Sequence, residues 1–257
     1  MATVSSKAWD KYISALRKLN NRATNRMLEK INELGTEDPA ALEELIRYAY
    51  AIATRYGEGA AALSAEMYDA LAELSGKVVA PAVPASTATY GDVAKAIHGT
   101  RLQSKNPQVM ADSIGRLVKM AGVDTMQQNA LRDGAEWAWI PRGETCAFCL
   151  MLASNGWQPA SRKAIKNGHA MHIHANCDCT YAIRFSSDVE VEGYNDGEEY
   201  RKMYYDADGS TPEERVNAMR REFYAENKDK INAQKRSAYE KRKELNSSAA
   251  EEYEVTE

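Results

Sequence analysis

The sequence predicts a mainly α fold with a small α+β, zinc-stapled C-terminal unit, followed by a long charged helix. Three observations lead there. Apolar residues recur at steps of three and four through the N-terminal half, the periodicity of amphipathic helices. Around Trp137 and Trp139 that period gives way to alternation, the mark of a strand. All four cysteines, with His169, His172 and His174, then fall in or between the pairs Cys146/Cys149 and Cys177/Cys179.

Taken in order, Ser5 or Ser6 can cap a first helix whose buried face is Trp9, Tyr12, Ile13, Leu16 and Leu19, resuming through Met27, Ile31 and Leu34 and stopping at Gly35. Asp38 and Pro39 are a helix start, since proline at the first helical position loses no intrahelical hydrogen bond. The apolar positions Leu42, Leu45, Ile46, Ala49 and Ile52 predict a helix ending near Gly57. A second helix then runs from Gly59 to Leu74, so that the two form an antiparallel hairpin closed by Gly76. Pro81 and Pro84 exclude a continuous helix over 77–89, which reads as a linker or extended arm.

Helical patterning returns from Tyr90 to Leu102, where His98 reads as a packed or surface residue. Asn106 and Pro107 open a further helix, with Gly122 separating it from another over Val123–Arg132. Residues 134–141 predict a strand ending at Pro141 with its aromatic rings on one face, and 148–154 a short helix closed by Asn155 and Gly156. Cys179–Phe185 predicts a second strand. After an acidic loop, Thr211, Pro212 and Glu214 start a long charged helix reaching about Leu245. It is too poor in apolar surface to fold alone, and so suited to a partner or a second copy of itself. The predicted organisation is a helical region 1–76, the arm 77–89, a core 90–185 holding the Cys/His knob 134–185, the loop 186–210 and the tail 211–257.

Composition bounds the function. The chain has 257 residues, 44% hydrophobic and 27% charged, and no apolar run approaches the ~20 residues that span a bilayer, so a soluble, non-membrane protein is expected. The net charge of −4 is unevenly spread: Lys7, Lys11, Arg17, Lys18, Arg22, Arg26 and Lys30 make the first helix basic, while Asp188, Glu190, Glu192, Asp196, Glu198 and Glu199 make a later stretch acidic.

Two cysteines separated by two residues present both sulfurs to one side of a turn, and His174 lies three residues before Cys177. Sulfur and imidazole donors favour zinc over magnesium or calcium. Five candidate ligands, Cys146, Cys149, His174, Cys177 and Cys179, compete for four places, and His174 with one of the last two cysteines competes evenly with both cysteines together. Disulfides would need an oxidising compartment, and packed free thiols would leave the neighbouring histidines unexplained. A zinc here would be structural: the His-x-Glu and Pro-Cys-x-x-Cys pattern of zinc deaminases is not present, and metal-bound thiols are poor nucleophiles.

The run from Trp137 and Trp139 through Cys146, Cys149 and Gly156 to His174, Cys177 and Cys179 resembles the phage Mu F-like minor head proteins of tailed bacteriophages, in the form carried by phages of actinobacteria. The likeness in motif covers about fifty residues. It implies a minor capsid protein of few copies, acting in head morphogenesis beside the portal and major capsid proteins. It would be made in the host cytoplasm and placed in the virion at the portal vertex or capsid interior, near packaged DNA. Related genes are often labelled capsid maturation proteases, yet four histidines in the whole chain offer no convincing Ser-His-Asp set, and the reading leans away from an enzyme. Two alternatives stay open. One is an enzyme, either that protease or a zinc-braced nuclease using His172 or His169. The other is a sequence-independent DNA-binding virion protein using the basic first helix.

Overall fold

Each of the long N-terminal helices begins and ends where its own residues dictate. The computed structural model describes residues 3–4, 6–104, 106–140, 147–161, 180–187, 190–191, 197–229, 232–233 and 236. Helix α1 (Ser6–Leu34) stops at Gly35, whose φ of 71° is the left-handed turn that glycine adopts without steric cost. Helix α2 (Pro39–Leu74) has Asp38 as its cap, accepting from the Ala41 N–H at 3.0 Å. Helix α3 (Tyr90–Gln103) opens on a reciprocal capping box between Thr89 and Asp92. Helix α4 (Pro107–Asp133) opens on Asn106 and Pro107 and ends at Gly134, φ 67°.

Two expected helix breaks are corrected. The hairpin placed at Gly57–Gly59 is one continuous helix, α2, and Gly122 lies inside one continuous α4. Glycine in a helix interior costs only about 1 kcal/mol relative to alanine. These glycines lie where other segments come too close for a side chain. A Cβ on Gly122 would sit 2.8 Å from Ser64 Oγ and 3.3 Å from the Ala60 carbonyl oxygen, and one on Gly57 would sit 2.9 Å from Thr87 Cγ2. Gly115 is closed in likewise by Thr24 and by Asn20 Oδ1, the latter at 2.6 Å. A glycine that breaks a helix and one that lets two backbones meet read alike in one sequence.

Helices α1, α2 and α4 pack mutually, and each contributes to two cores. In the first, Met27 and Ile31 of α1 meet Leu45, Ile46 and Ala49 of α2, Val93 and Ile97 of α3, and Ile114 and Val118 of α4. In the second, Trp9, Tyr12 and Ile13 of α1 meet Tyr68 and Leu71 of α2, Val123 and Met126 of α4, and the sheet. The two cores take opposite ends of α1 from those of α2 and α4, so α2 and α4 run parallel to each other and antiparallel to α1.

That parallel arrangement obliges the chain to return along α2 before it can continue. Tyr90 donates to Glu43 Oε1 at 2.9 Å, near the start of α2, so residues 77–89 cover nearly the whole helix. Thirteen extended residues reach about 43–47 Å, against about 20 Å if helical. The arm is therefore an extended strap, and three of its N–H groups are taken by side chains: Ala82 donates to Asp69 Oδ1 (2.8 Å), Val83 to Asn129 Oδ1 (2.9 Å) and Ala85 to Thr125 Oγ1 (2.9 Å). Arg132 donates to the carbonyls of Ala80 and Pro81, and Tyr68 donates to Asp133 Oδ2 at 2.8 Å.

Strand β1 (Thr3–Val4) pairs in parallel with β5 (Glu190–Val191), a pairing not expected from the sequence. The larger sheet has the order β3-β2-β4, from β2 (Glu136–Ile140), β3 (Gln158–Pro159) and β4 (Thr180–Arg184), all antiparallel. Helix α5 (Ala147–Ser154) lies between β2 and β3 in sequence, ahead of Gly156 with φ 67°.

The stretch 186–210, expected to be a loop, contains helix α6 (Gly197–Asp206). Residues 212–229 form α7, begun by a box in which Thr211 Oγ1 accepts from the Glu214 N–H and Glu214 Oε2 accepts from the Thr211 N–H. Its two buried apolar residues, Val216 and Met219, join Ala147 and Leu150 of α5 and Tyr204 of α6, so the sparse apolar face first meets its own chain. No helix among the described residues is long and apolar enough to cross a membrane.

Gly122→Val is expected to lower stability by about 1–3 kcal/mol through overpacking. Gly99→Ala, on α3 with nothing within 4 Å of the added Cβ, should raise it by about 0.5–1 kcal/mol. Urea midpoints at constant slope measure both. Asn129→Ala removes hydrogen bonds to both the N–H and the carbonyl of Val83, and should cost about 1–3 kcal/mol and speed proteolysis within 77–89.

Candidate functional site

Local sequence explains the sheet unit first. Strand β2 was expected to turn its aromatic rings to one face, and Trp137 and Trp139 both stand against Tyr181; Ala138 and Ile140 are buried as well, because β2 is the central strand and is covered on both sides. Tyr181 of β4 stands edge-on to both indoles, with ring centroids 4.9 Å from Trp137 and 4.6 Å from Trp139. The register pairs Trp139 with Tyr181 and Ile140 with Thr180. At the opposite end of the strands, Arg184 donates to Glu136 Oε2 at 2.6 Å and lies over the Trp157 ring, 4.5 Å from its centre.

Of the five candidate ligands, Cys149 alone falls among the described residues. It sits in the first turn of α5, 2% exposed, packed with the Trp139 and Tyr181 core. Cys146, His174, Cys177 and Cys179 lie outside the described residues, as do His169, His172 and Pro141. Two of them adjoin described residues. Cys146 immediately precedes Ala147, the first residue of α5, and Cys179 immediately precedes Thr180, which pairs with Ile140 at the end of β2 from which the chain leads to Cys146. No group of three or more His, Cys, Asp or Glu side chains suited to a metal occurs among the described residues. His98 is exposed on α3, as its position in the sequence suggested.

Sequence reasoning missed the polar groups beneath the sheet. Asp124 of α4 is mostly buried, and burial pushes its carboxyl up to about 6. Its charge, that of Cys149 and above all burial raise the Tyr181 phenol, which lies beside Gln127. The indole N–H groups of Trp9 and Trp139 are buried with no hydrogen-bond partner among the described residues. Asp124 and Gln127, one helical turn apart and each next to a buried apolar residue, Val123 and Met126, were the available signal.

The VG15 protein family matches residues 3–207, well over half of the chain. No curated protein and no solved structure matches it.

Asp124 supplies a pH test. Its folded-state pKa is raised, so the native state holds more protons than the unfolded state between about 4 and about 6, and stability falls as pH rises through that window. Asp124→Asn is expected to gain on the parent by about 1–3 kcal/mol across it and to hold that lead above pH ~6. Chemical denaturation at a series of pH values reads the difference; parallel curves for the two proteins would contradict it.

Proposed function

The chain belongs to the VG15 protein family, and on that premise we propose that it is a phage minor head protein of the Mu F-like kind, acting in head morphogenesis as a structural part. The family match supports a phage protein, and the finer reading rests on the sheet unit. The observation that carries it is the order Trp-bearing strand, short helix with a buried cysteine, glycine turn, antiparallel return strand. This is the order in which the resemblance placed Trp139, Cys149 and Gly156.

In this reading the Cys/His cluster holds a structural zinc through four of Cys146, Cys149, His174, Cys177 and Cys179. The placed donor fits such a group: the Cys149 thiol is buried among apolar and aromatic side chains, where a thiolate is costly without a cation. Zinc would supply charge neutralisation and a cross-link for a segment too small to fold on its own, worth about 10–16 kcal/mol of apparent binding free energy. The chain's own helices would then present surfaces to the portal or major capsid protein in the virion, and α7 with the tail beyond it offers a route to self-association.

Metal analysis of the purified chain is expected to find a single zinc. Its removal by a chelator should lower the melting temperature, and Cys146→Ser should lose the metal, as should Cys177→Ser combined with Cys179→Ser. Portal protein co-expressed with the chain should co-purify with the parent and with His172→Ala, and be lost with Cys146→Ser. Metal-free protein with all four thiols reactive while folded would remove the zinc. Defined cleavage of the major capsid protein by the chain would replace the structural reading with a protease.

A further inference from the structure

One face of α1 points to a polyanion. Lys11, Lys18, Arg22 and Arg26 are all exposed, opposite the buried Tyr12, Ile13, Ala23 and Met27. Steps of seven, four and four keep their side chains on one side of the helix, spread over about 22 Å of its length. Among the described residues none of the four has an ion-pair or hydrogen-bond partner, whereas Lys30 on the same helix pairs with Glu33 and Glu44. Toward the helix C-terminus the patch is bounded by Glu29 and Glu33, which follow Arg26.

The kind of partner follows from what the face lacks. Interleaved with the cations are the exposed Ser14, Asn21 and Asn25, small hydrogen-bonding side chains, and no exposed aromatic or large apolar residue. Protein partners are held chiefly by buried aromatic and apolar anchors, which this face does not offer. A sugar-phosphate backbone needs only spaced cations and hydrogen-bonding groups, and it presents about one charge per 1.7 Å of duplex axis along any 22 Å face. We propose that the Lys11–Lys18–Arg22–Arg26 face of α1 is a docking surface for the backbone of duplex DNA, read without regard to sequence. It rests on α1 and is independent of the sulfur cluster.

Fluorescence anisotropy of the full chain with a labelled mixed-sequence duplex tests this. With four phosphates neutralised, the log–log slope of affinity against salt should be about −3 to −4, so a fourfold rise in salt weakens binding roughly 10²-fold. Replacing all four cations by glutamine should abolish binding and leave the melting temperature and helix content unchanged. Neutralising the exposed Arg47, Arg55, Lys77 and Lys95 instead should leave the slope unchanged. No binding at low salt, equal losses in the two quadruple variants, or equal competition by poly-glutamate would overturn the proposal, the last pointing to an acidic protein. The same titration on Cys146→Ser separates this surface from the metal-stapled reading, because DNA binding should survive there even where portal co-purification is lost.

Discussion

Close backbone approach around α4 is the constraint on which the rest of the structure depends. Gly115 admits Asn20 and Thr24 of α1, and Gly122 admits Ala60 and Ser64 of α2, at separations no β-carbon would allow. With α1 and α2 drawn in, α4 is buried around most of its circumference, and its inward residues serve both hydrophobic clusters. Any larger side chain at these contacts would push apart the surfaces that bury Ile114, Val118 and Met126. The sheet is laid on the far end of this arrangement, where α1, α2 and α4 together supply the floor for Trp139 and Tyr181.

The parallel course of α2 and α4 then fixes the strap. A helix would be too short to bring the chain back, and a free loop of that length would leave backbone donors without partners against a packed surface. The chain answers both demands with prolines, which cannot donate, and with Asp69, Thr125, Asn129 and Arg132, which bind the N–H groups of Ala82, Val83 and Ala85 and the carbonyls of Ala80, Pro81 and Val83. Arg132 also holds the Asp133 carboxyl below the usual carboxylate range, and Tyr68 donates to the same carboxylate from the second helix.

Much of this was legible in the chain because the signals were local. Asp38–Pro39, Asn106–Pro107 and Thr211–Glu214 each fix a helix start through a side chain and a backbone group a few residues away, and all three starts stand. The switch from helical to alternating period found β2, and the run after Cys179 found β4. What was not legible depends on distant partners. Gly57 and Gly122 look like breakers until the helices they face are known, and Gly197–Asp206 looks like an acidic loop until Tyr204 is seen against Leu150. The same holds for the site: motif and spacing singled out Cys149, whereas Asp124 matters only because β4 sets Tyr181 near it.

Among the described residues, three helices that each enter both clusters join the bundle end and the sheet end in one continuous packed body. A pull delivered at the ladder is carried along the axes of α1, α2 and α4, in line with their backbone hydrogen bonds, and is spread over side-chain contacts along their whole length. Such a part behaves as a strut: it transmits load between whatever grips its two ends, and it yields only when the whole body does.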